Sequence, residues 1–161
     1  MISANHLKEF AYFKGFSDPE LEKLAALATE ETYDAGTQIY RNGDPARCLY
    51  LIQEGKVILV MDSYLGSHKP SMQVTVDVVT RGESMGWSAV VEPYIYTLGA
   101  LCIDRAKAIG LEATGLRRLM DDDACLGYRI MKATAQIIAN RLTHTRIILV
   151  GERGLSTLTE Y

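Results

Sequence analysis

Residues 81–97 read RGESMGWSAVVEPYIYT, and they separate a series of short β-type segments from two further β-type segments and a long helical pattern. Gly82 and Gly86 free the backbone. The residues from Gly86 to Ala89 can open a short helical turn, and Pro93 closes the loop. The first amides of such a turn have no intrahelical acceptor. The sequence therefore predicts a loop whose backbone favours an anion, above all a phosphate.

The composition is that of a single globular domain. The chain has 161 residues, of which 48% are hydrophobic and 23% are charged, and its net charge is −3. A negative net charge argues against a free-standing nucleic-acid-binding protein, which needs a basic face. No apolar run approaches the ~20 residues of a membrane span, and the N-terminus lacks a signal-peptide pattern. We expect a cytoplasmic protein without membrane contact.

The cysteines predict free thiols. Cys48, Cys102 and Cys125 are odd in number, lack the Cys-x-x-Cys spacing and lie among apolar neighbours. Buried free thiols in a reducing compartment are the expected state.

The N-terminal residues have helical spacing. Apolar residues recur at helical intervals over residues 4–30, and Ser17 is a candidate N-cap ahead of Pro19 and Glu20. Residues 1–32 are therefore predicted to form a helical segment that covers a sheet.

Strand spacing begins near Tyr33. Residues 33–112 contain about eight short β-type runs separated by glycine-containing turns, as in a small sandwich or rolled barrel. One of these runs alternates Val74, Val76 and Val78 with polar residues, which predicts a half-buried strand. The predicted fold is α+β and mainly β. It is a double-stranded β-helix or jelly-roll barrel with N-terminal helices and a long C-terminal dimerisation helix.

Helical spacing returns in residues 113–150. Thr114 is a candidate cap for a short helix, and the acidic run Asp121–Asp123 suits the N-terminus of a long helix that is predicted to end near Val150. Residues 151–161 are predicted to be a tail.

The long helix carries a seam of alternating three- and four-residue spacing, typical of a coiled coil. Its members are Tyr128, Met131, Ala135, Ile138, Leu142, Thr145 and Leu149. A second face carries Ile130, Thr134, Ile137, His144 and Ile148. One face can pack on the barrel and the other on a second chain, so the sequence predicts a parallel homodimer.

Residues 7–150 resemble the cyclic-nucleotide-binding domain of catabolite-activator and fumarate–nitrate-regulator proteins. The resemblance rests on an aromatic residue followed by Gly36, Gly43-Asp44, Tyr50-Leu51-Ile52 and Gly55-Lys56-Val57, and on Gly82 and Gly86, which stand where the family's phosphate-binding cassette begins. It implies a cassette at residues 82–97, a dimerising C-terminal helix and, at Thr145, a hydroxyl near the ligand's purine.

The cassette departs from the family pattern at its charged positions. The family places a glutamate after the second glycine, to bind the ribose hydroxyl, and an arginine after the proline, to neutralise the cyclic phosphate. Trp87 and either Tyr94 or Ile95 occupy these positions here. Loss of the arginine removes about 1.5–3 kcal/mol of charge-assisted hydrogen bonding. We therefore expect weak binding of cyclic AMP, unless Arg81 or Arg105 substitutes.

A second departure concerns DNA. Regulators of this family carry a helix-turn-helix domain after the C-terminal helix, and this sequence shows no such element. The resemblance therefore implies a lone sensor domain without direct DNA binding.

Three functions are compatible with the sequence. The first is a non-catalytic sensor of a small molecule or nucleotide, whose candidate ligand-binding residues are Gly86, Trp87, Ser88, Ala89, Tyr94, Ile95, Tyr96, Thr97 and Thr145. The second is a ligand-free dimeric scaffold or adaptor in signalling or transcription regulation. The third is an enzyme or metal protein on a similar barrel, which would need converging histidines. His6, His68 and His144 lie on three different segments, so no catalytic residue, metal site or cofactor is predicted. Haem ligation by His144 or a cysteine is a remaining alternative.

Overall fold

Helices flank a β-rich centre along the chain. The computed structural model describes residues 1–63 and 72–158, with side chains as far as Gly151. The helices in these residues are α1 (Ala4–Lys8), α2 (Asp18–Ala25), α3 (Ala113–Asp122) and α4 (Ala124–Leu158), with 3-10 turns at Ala11–Phe13 and Trp87–Ala89. The strands are β1 (Ala28–Tyr33), β2 (Gln38–Tyr40), β3 (Cys48–Glu54), β4 (Val57–Ser63), β5 (Met72–Val79), β6 (Ser84–Met85), β7 (Gly99–Cys102) and β8 (Ala106–Glu112). The loop around Gly66 and His68 and the last residues of the predicted tail, 159–161, lie outside the described residues.

Two four-stranded antiparallel sheets form a roll. One has the order β1-β8-β3-β6 and the other β2-β7-β4-β5. The core between them contains fully buried aliphatic side chains, among them Leu49, Leu51, Leu59, Ile109 and Leu111. The mainly β jelly-roll fold with N-terminal helices and a long C-terminal helix is thus confirmed.

The N-terminal region is less helical than predicted. Helix α1 ends at Lys8, and the chain becomes a strand at Ala28, inside the predicted helical range. The helical spacing there is overridden because β1 pairs with β8, with Glu30 opposite Ile109. The predicted cap at Ser17 is confirmed, since the Glu20 carboxylate accepts the Ser17 amide at 2.7 Å in a capping box.

Strand β5 forms where the alternating valines predicted it, but their burial was predicted wrongly. Val74 and Val78 are 45% and 41% exposed. The reason is the position of β5 in its sheet, since among the described strands it lies at the edge and pairs with β4 alone.

The two C-terminal helices begin on carboxylate caps. Glu112, rather than the predicted Thr114, caps α3, and its carboxylate accepts the amides of Thr114 at 2.8 Å and Gly115 at 2.6 Å. Asp123 caps α4 and accepts the Leu126 amide at 3.1 Å. Helix α4 runs past Val150 to Leu158, so the tail predicted from residue 151 is helical in its first part.

Helix α4 packs on the roll with only one of its faces. Leu126, Ile130 and Thr134 are buried, and the Thr134 hydroxyl lies 2.8 Å from the Tyr12 hydroxyl. Most of the predicted seam is exposed, since Tyr128 is 66% exposed and Leu142 is 48% exposed, whereas Ile138 is half-buried.

The cysteines differ in exposure. Cys102 is buried, Cys48 is half-buried, and Cys125 is exposed on α4, contrary to the expectation of burial; all three are free thiols. Among the helices of the described residues, none combines the length and apolar character needed to cross a membrane.

Candidate functional site

The turn that follows β6 is tightly packed. Gly86 adopts φ +79°, and a Cβ at this position would lie 2.9 Å from the Cys48 carbonyl oxygen. Ser88 and Ala89 are buried. The Ala89 amide donates to the Gly86 carbonyl at 3.0 Å, so one amide of the predicted anion-binding turn is already engaged within the turn.

Three tyrosines fill the interior beneath this turn. The Tyr40 ring stacks on Tyr96 at a centroid distance of 3.7 Å and on Tyr50 at 5.9 Å. The Tyr96 hydroxyl donates to the Cys48 carbonyl at 2.7 Å and accepts the Cys48 amide at 3.1 Å. Burial raises the pKa of Tyr96 to about 12, so the phenol is neutral at physiological pH. Tyr96, a candidate ligand-binding residue, therefore lies in the core.

The ring of Tyr94 contacts Arg117 of α3 and so links the loop to this helix. The Arg117 guanidinium lies 4.3 Å from the centroid of the Tyr94 ring, and its Nη1 donates to the Ala89 carbonyl at 2.7 Å. Such a cation–π contact stabilises by about 0.5–1 kcal/mol at an exposed site. The ring of Tyr94 is therefore engaged by α3.

The remaining candidates in the loop lie near the surface. Ile95 is 42% exposed, and Thr97 is also exposed. Arg81 and Arg105, which were considered as substitutes for the cassette arginine, are both exposed as well.

A small cavity between α4 and the roll is lined by both Trp87 and Thr145, and we call it the helix–roll cleft. Its volume is about 200 Å³. The cleft is lined by Val76, Asp77, Trp87, Leu98, Ile138, Arg141, Leu142, His144 and Thr145. Most of this lining is apolar, and its titratable side chains are Asp77, Arg141 and His144. The structure thus brings together one candidate from the loop and one from the long helix.

Arg141 ties α4 to the edges of both sheets. Its Nε donates to Asp77 Oδ2 on β5 at 3.1 Å, and its Nη2 donates to the Ser84 carbonyl on β6 at 2.8 Å. The Arg141 and Asp77 side chains are only 18% and 22% exposed. Arg141 was not among the candidate ligand-binding residues, so its charge in the cleft was missed. The available signal was its spacing of four from Thr145, which places both residues on one side of a helix.

A larger groove lies on the other side of α4. Its volume is about 1140 Å³, and its lining includes Tyr128, Lys132 and Gln136 from α4 together with Lys14 and Phe16 from the N-terminal region. Asp77 and Arg141 line both cavities. The ion pair therefore lies where the cleft and the groove adjoin, and His144 also lines both.

No group of three or more His, Cys, Asp or Glu side chains in the described part of the chain is arranged to hold a metal ion. The His6 Nδ1 lies 2.9 Å from the Ser3 hydroxyl, and His144 lines the cleft.

Comparison with known proteins identifies the domain. The family model described as "Cyclic nucleotide-binding domain" matches residues 30–123. Among solved structures, a protein of Geobacter metallireducens GS-15 assigned to the cyclic nucleotide-binding proteins is 26% identical, with a TM-score of 0.78 over 88% of this chain and 99% of that one.

Two further structures share the fold. A cyclic nucleotide-binding domain from Methylobacillus flagellatus KT has a TM-score of 0.77 at 17% identity, covering 92% of this chain and 85% of that one. The Thermus thermophilus catabolite activator protein has a TM-score of 0.67 at 21% identity, covering 86% of this chain and 61% of that one.

A curated relative is longer than this chain. Glutaminase 1 of Bradyrhizobium diazoefficiens is 29% identical over 138 residues, which are 84% of this chain and 21% of the glutaminase. The chain therefore spans about a fifth of that relative's length. The family match and the shared fold agree with the resemblance found in the sequence, and the chain belongs to the cyclic nucleotide-binding domain family.

Proposed function

We propose that this domain is a non-catalytic sensor that binds a small ligand in the helix–roll cleft and reports binding through α4. The observation that carries the proposal is that Trp87 of the loop and Thr145 of α4 line the same cleft. A ligand that contacts both elements binds differently to different positions of α4, and this difference is what a sensor requires.

We propose further that the ligand is not a tightly bound cyclic AMP. Tyr94 or Ile95 occupies the position of the cassette arginine, and neither carries a charge; the two candidate substitutes, Arg81 and Arg105, are exposed. The cleft volume of about 200 Å³ is below the ~300–1,000 Å³ of sites that hold drug-sized ligands. A whole nucleotide therefore requires α4 to move away from the roll.

We also place the protein in the cytoplasm. Its three cysteines are all free, and Cys125 is exposed. Three unpaired cysteines, one of them exposed, suit a reducing compartment.

Trp87 makes the sensor proposal directly testable, because it is the only tryptophan of the chain. Titration with cyclic AMP, cyclic GMP and a panel of metabolites should change its emission and raise the melting temperature for at least one compound. Cyclic AMP should act only in the millimolar range. A Trp87→Phe variant should lose the emission signal and keep a melting shift. If no compound changes either readout in the wild-type protein, the sensor proposal fails.

A second candidate function is a dimeric scaffold, favoured by the exposed seam. Met131 and Leu149 on this seam are 40% and 47% exposed. Deletion of residues 141–161 separates the two functions. A scaffold would lose self-association and every partner interaction with it, whereas a sensor would retain residual ligand binding at the loop.

A further inference from the structure

We propose that Arg141 recognises an anionic group of the ligand in the helix–roll cleft, and that Asp77 is an internal anion that competes with the ligand for it. The ligand class that follows is a small molecule with one planar apolar part and a single negative group. This inference rests on the proposed sensor function, because it concerns the same cleft.

The hydrogen bonds of Arg141 leave room for a ligand. A guanidinium has five N–H donors in a planar fork. Nε is used by Asp77 and one Nη2 donor by the Ser84 carbonyl. The Nη1 donors of Arg141 have no hydrogen-bond partner among the described residues. An anion can therefore accept hydrogen bonds from Nη1 of Arg141 while Nη2 keeps its bond to the Ser84 carbonyl.

The neighbouring basic side chains of α3 and α4 are not available at the cleft. Arg117 is engaged by Tyr94 and the Ala89 carbonyl. Arg146 is exposed and is not among the residues that line the cleft. His144 is the other titratable base of the lining and is exposed. Arg141 is consequently the permanent positive charge of the cleft.

The apolar lining indicates the rest of the ligand. Trp87 offers an aromatic surface, and Val76 and Leu98 extend the apolar wall around it. Such a wall favours a planar, uncharged ring rather than a second charged group, since an unpaired charge against apolar surface is strongly unfavourable.

Asp77 lowers the affinity of the cleft for anions. The Asp77 and Arg141 side chains are mostly buried, so their attraction is screened less than that of a surface pair. An anionic ligand must share or displace this carboxylate at Arg141. Displacement also loosens the link between α4 and β5, which provides a physical connection between ligand binding and the position of α4.

The test compares Asp77→Asn and Arg141→Gln by calorimetric titration with three probes: cyclic AMP, adenosine and phenylacetate. Cyclic AMP and phenylacetate carry a phosphodiester and a carboxylate, and adenosine is the neutral counterpart. If cyclic AMP or phenylacetate binds, Asp77→Asn should raise its affinity about tenfold, which is the effect of removing one charge-assisted interaction. The affinity for adenosine should not change. Arg141→Gln should abolish the preference for the anion over adenosine.

Matched variants control for charge and for folding. Glu83→Gln removes a carboxylate that bonds Thr80 rather than Arg141, and Arg146→Gln removes an exposed cation of the same helix. Both should bind like the wild type. Arg141→Lys keeps the charge but not the fork, so it should retain part of the anion preference if Arg141→Gln proves unstable.

The outcomes separate this inference from the proposed function. Anion binding that is equal in the wild type, Asp77→Asn and Arg141→Gln would overturn the role of Arg141 and leave the sensor function standing. Absence of binding by every probe in the wild type and in Asp77→Asn would overturn the anionic ligand class. The proposed function would then depend on the wider metabolite panel read through Trp87.

Discussion

Gly86 and Tyr96 show how single residues shape the loop at the centre of the fold. Gly86 has a positive φ, and its missing Cβ leaves space for the Cys48 carbonyl at 2.9 Å and the Tyr96 ring at 3.2 Å. The hydroxyl of Tyr96 in turn satisfies both backbone groups of Cys48. The loop is therefore held in place by close packing and by these hydrogen bonds.

A methyl group at Gly86 should destabilise the domain. In Gly86→Ala the left-handed backbone costs about 1–2 kcal/mol, and the clash with the Cys48 carbonyl adds to it. Gly82→Ala is the matched control, since Gly82 also has positive φ but nothing lies within 4 Å of its Cβ position. Urea unfolding should show a clearly larger loss for Gly86→Ala. Equal losses would mean that backbone conformation, not close contact, accounts for the glycine.

Removal of the Tyr96 hydroxyl should also destabilise the fold. Tyr96→Phe leaves the amide and carbonyl of Cys48 without their partner, at a cost of about 1–3 kcal/mol for a buried polar group. For a chain of this length, each kcal/mol lowers the melting temperature by about 2–4 °C. Thermal unfolding should show this shift. Tyr128→Phe, at an exposed tyrosine, should not change the melting temperature, and a Tyr96→Phe protein with wild-type stability would contradict the assigned hydrogen bonds.

The C-terminal helices depend on their first residues. Glu112 closes β8 and caps α3, and Asp123 ends α3 and caps α4. Lys23 of α2 pairs with Asp123 at 3.0 Å. The start of α4 is thus positioned by the Asp123 carboxylate, which caps the helix and pairs with Lys23. Further along the helix, Arg141 holds α4 against the sheets.

We expect the free energy of unfolding of the domain to depend on pH through the Glu112 carboxyl. The Gly115 amide, and after it the Thr114 amide, lower the pKa of this carboxyl below its ordinary value. Because the folded pKa is depressed, the stabilisation is fully present above the unfolded value of about 4.3 and is lost as the pH falls through the folded value. Glu112→Gln should cost about 0.3–1 kcal/mol at pH 7, and this difference should disappear in acid.

Urea unfolding of both proteins between pH 7 and pH 3 would check this dependence. Glu22→Gln, at an exposed position in the middle of α2, should match the wild type over the same range. A difference between wild type and Glu112→Gln that stayed constant with pH would rule out the charge of Glu112 as its source.

The whole molecule is organised by the different faces of α4. At about 100° per residue, Leu126, Ile130 and Thr134 face the roll, the seam points to one side, and Lys132, Gln136 and Asn140 face the large groove on the other. A second copy bound along the seam would cover the side of α4 that borders the helix–roll cleft, and it would reach the groove at Tyr128, which belongs to both the seam and the groove lining. Ligand binding and self-association would then share one helix.

Charges on the seam should prevent the proposed homodimer. Met131→Lys combined with Leu149→Lys places two cations among the exposed apolar residues of the seam, where a coiled coil excludes water. We expect the wild type to sediment as a dimer and this variant as a monomer.

Ile147→Lys is the control for the seam variant, because Ile147 is 64% exposed but lies on the opposite side of α4. It should remain a dimer. A wild-type monomer at tens of micromolar, or a dimer unaffected by both seam charges, would exclude this interface.

The roll and its loop could be predicted from local patterns. Glycines in turns, alternating or continuous apolar runs and the three-four spacing of α4 depend on neighbouring residues alone, and they led to the jelly-roll fold. The resemblance to the family added Trp87 and Thr145 as candidate site residues. Predictions from local patterns were wrong where pairing with a distant segment determines the structure instead. Ala28 joins β1 because β8 lies beside it, and valines of β5 are exposed because β5 is the edge strand of its sheet in the described part of the chain.

The composition of the site was decided by tertiary structure. Tyr96 and Tyr94 have the same chemistry in the sequence, yet one is enclosed by Tyr40 and Cys48 and the other is engaged by Arg117. Arg141 acquires its role only because the edges of two sheets bring Asp77 and Ser84 to one point of α4. Turn and helix geometry are local properties of the chain, whereas burial and charge pairing depend on residues that only the folded chain places together.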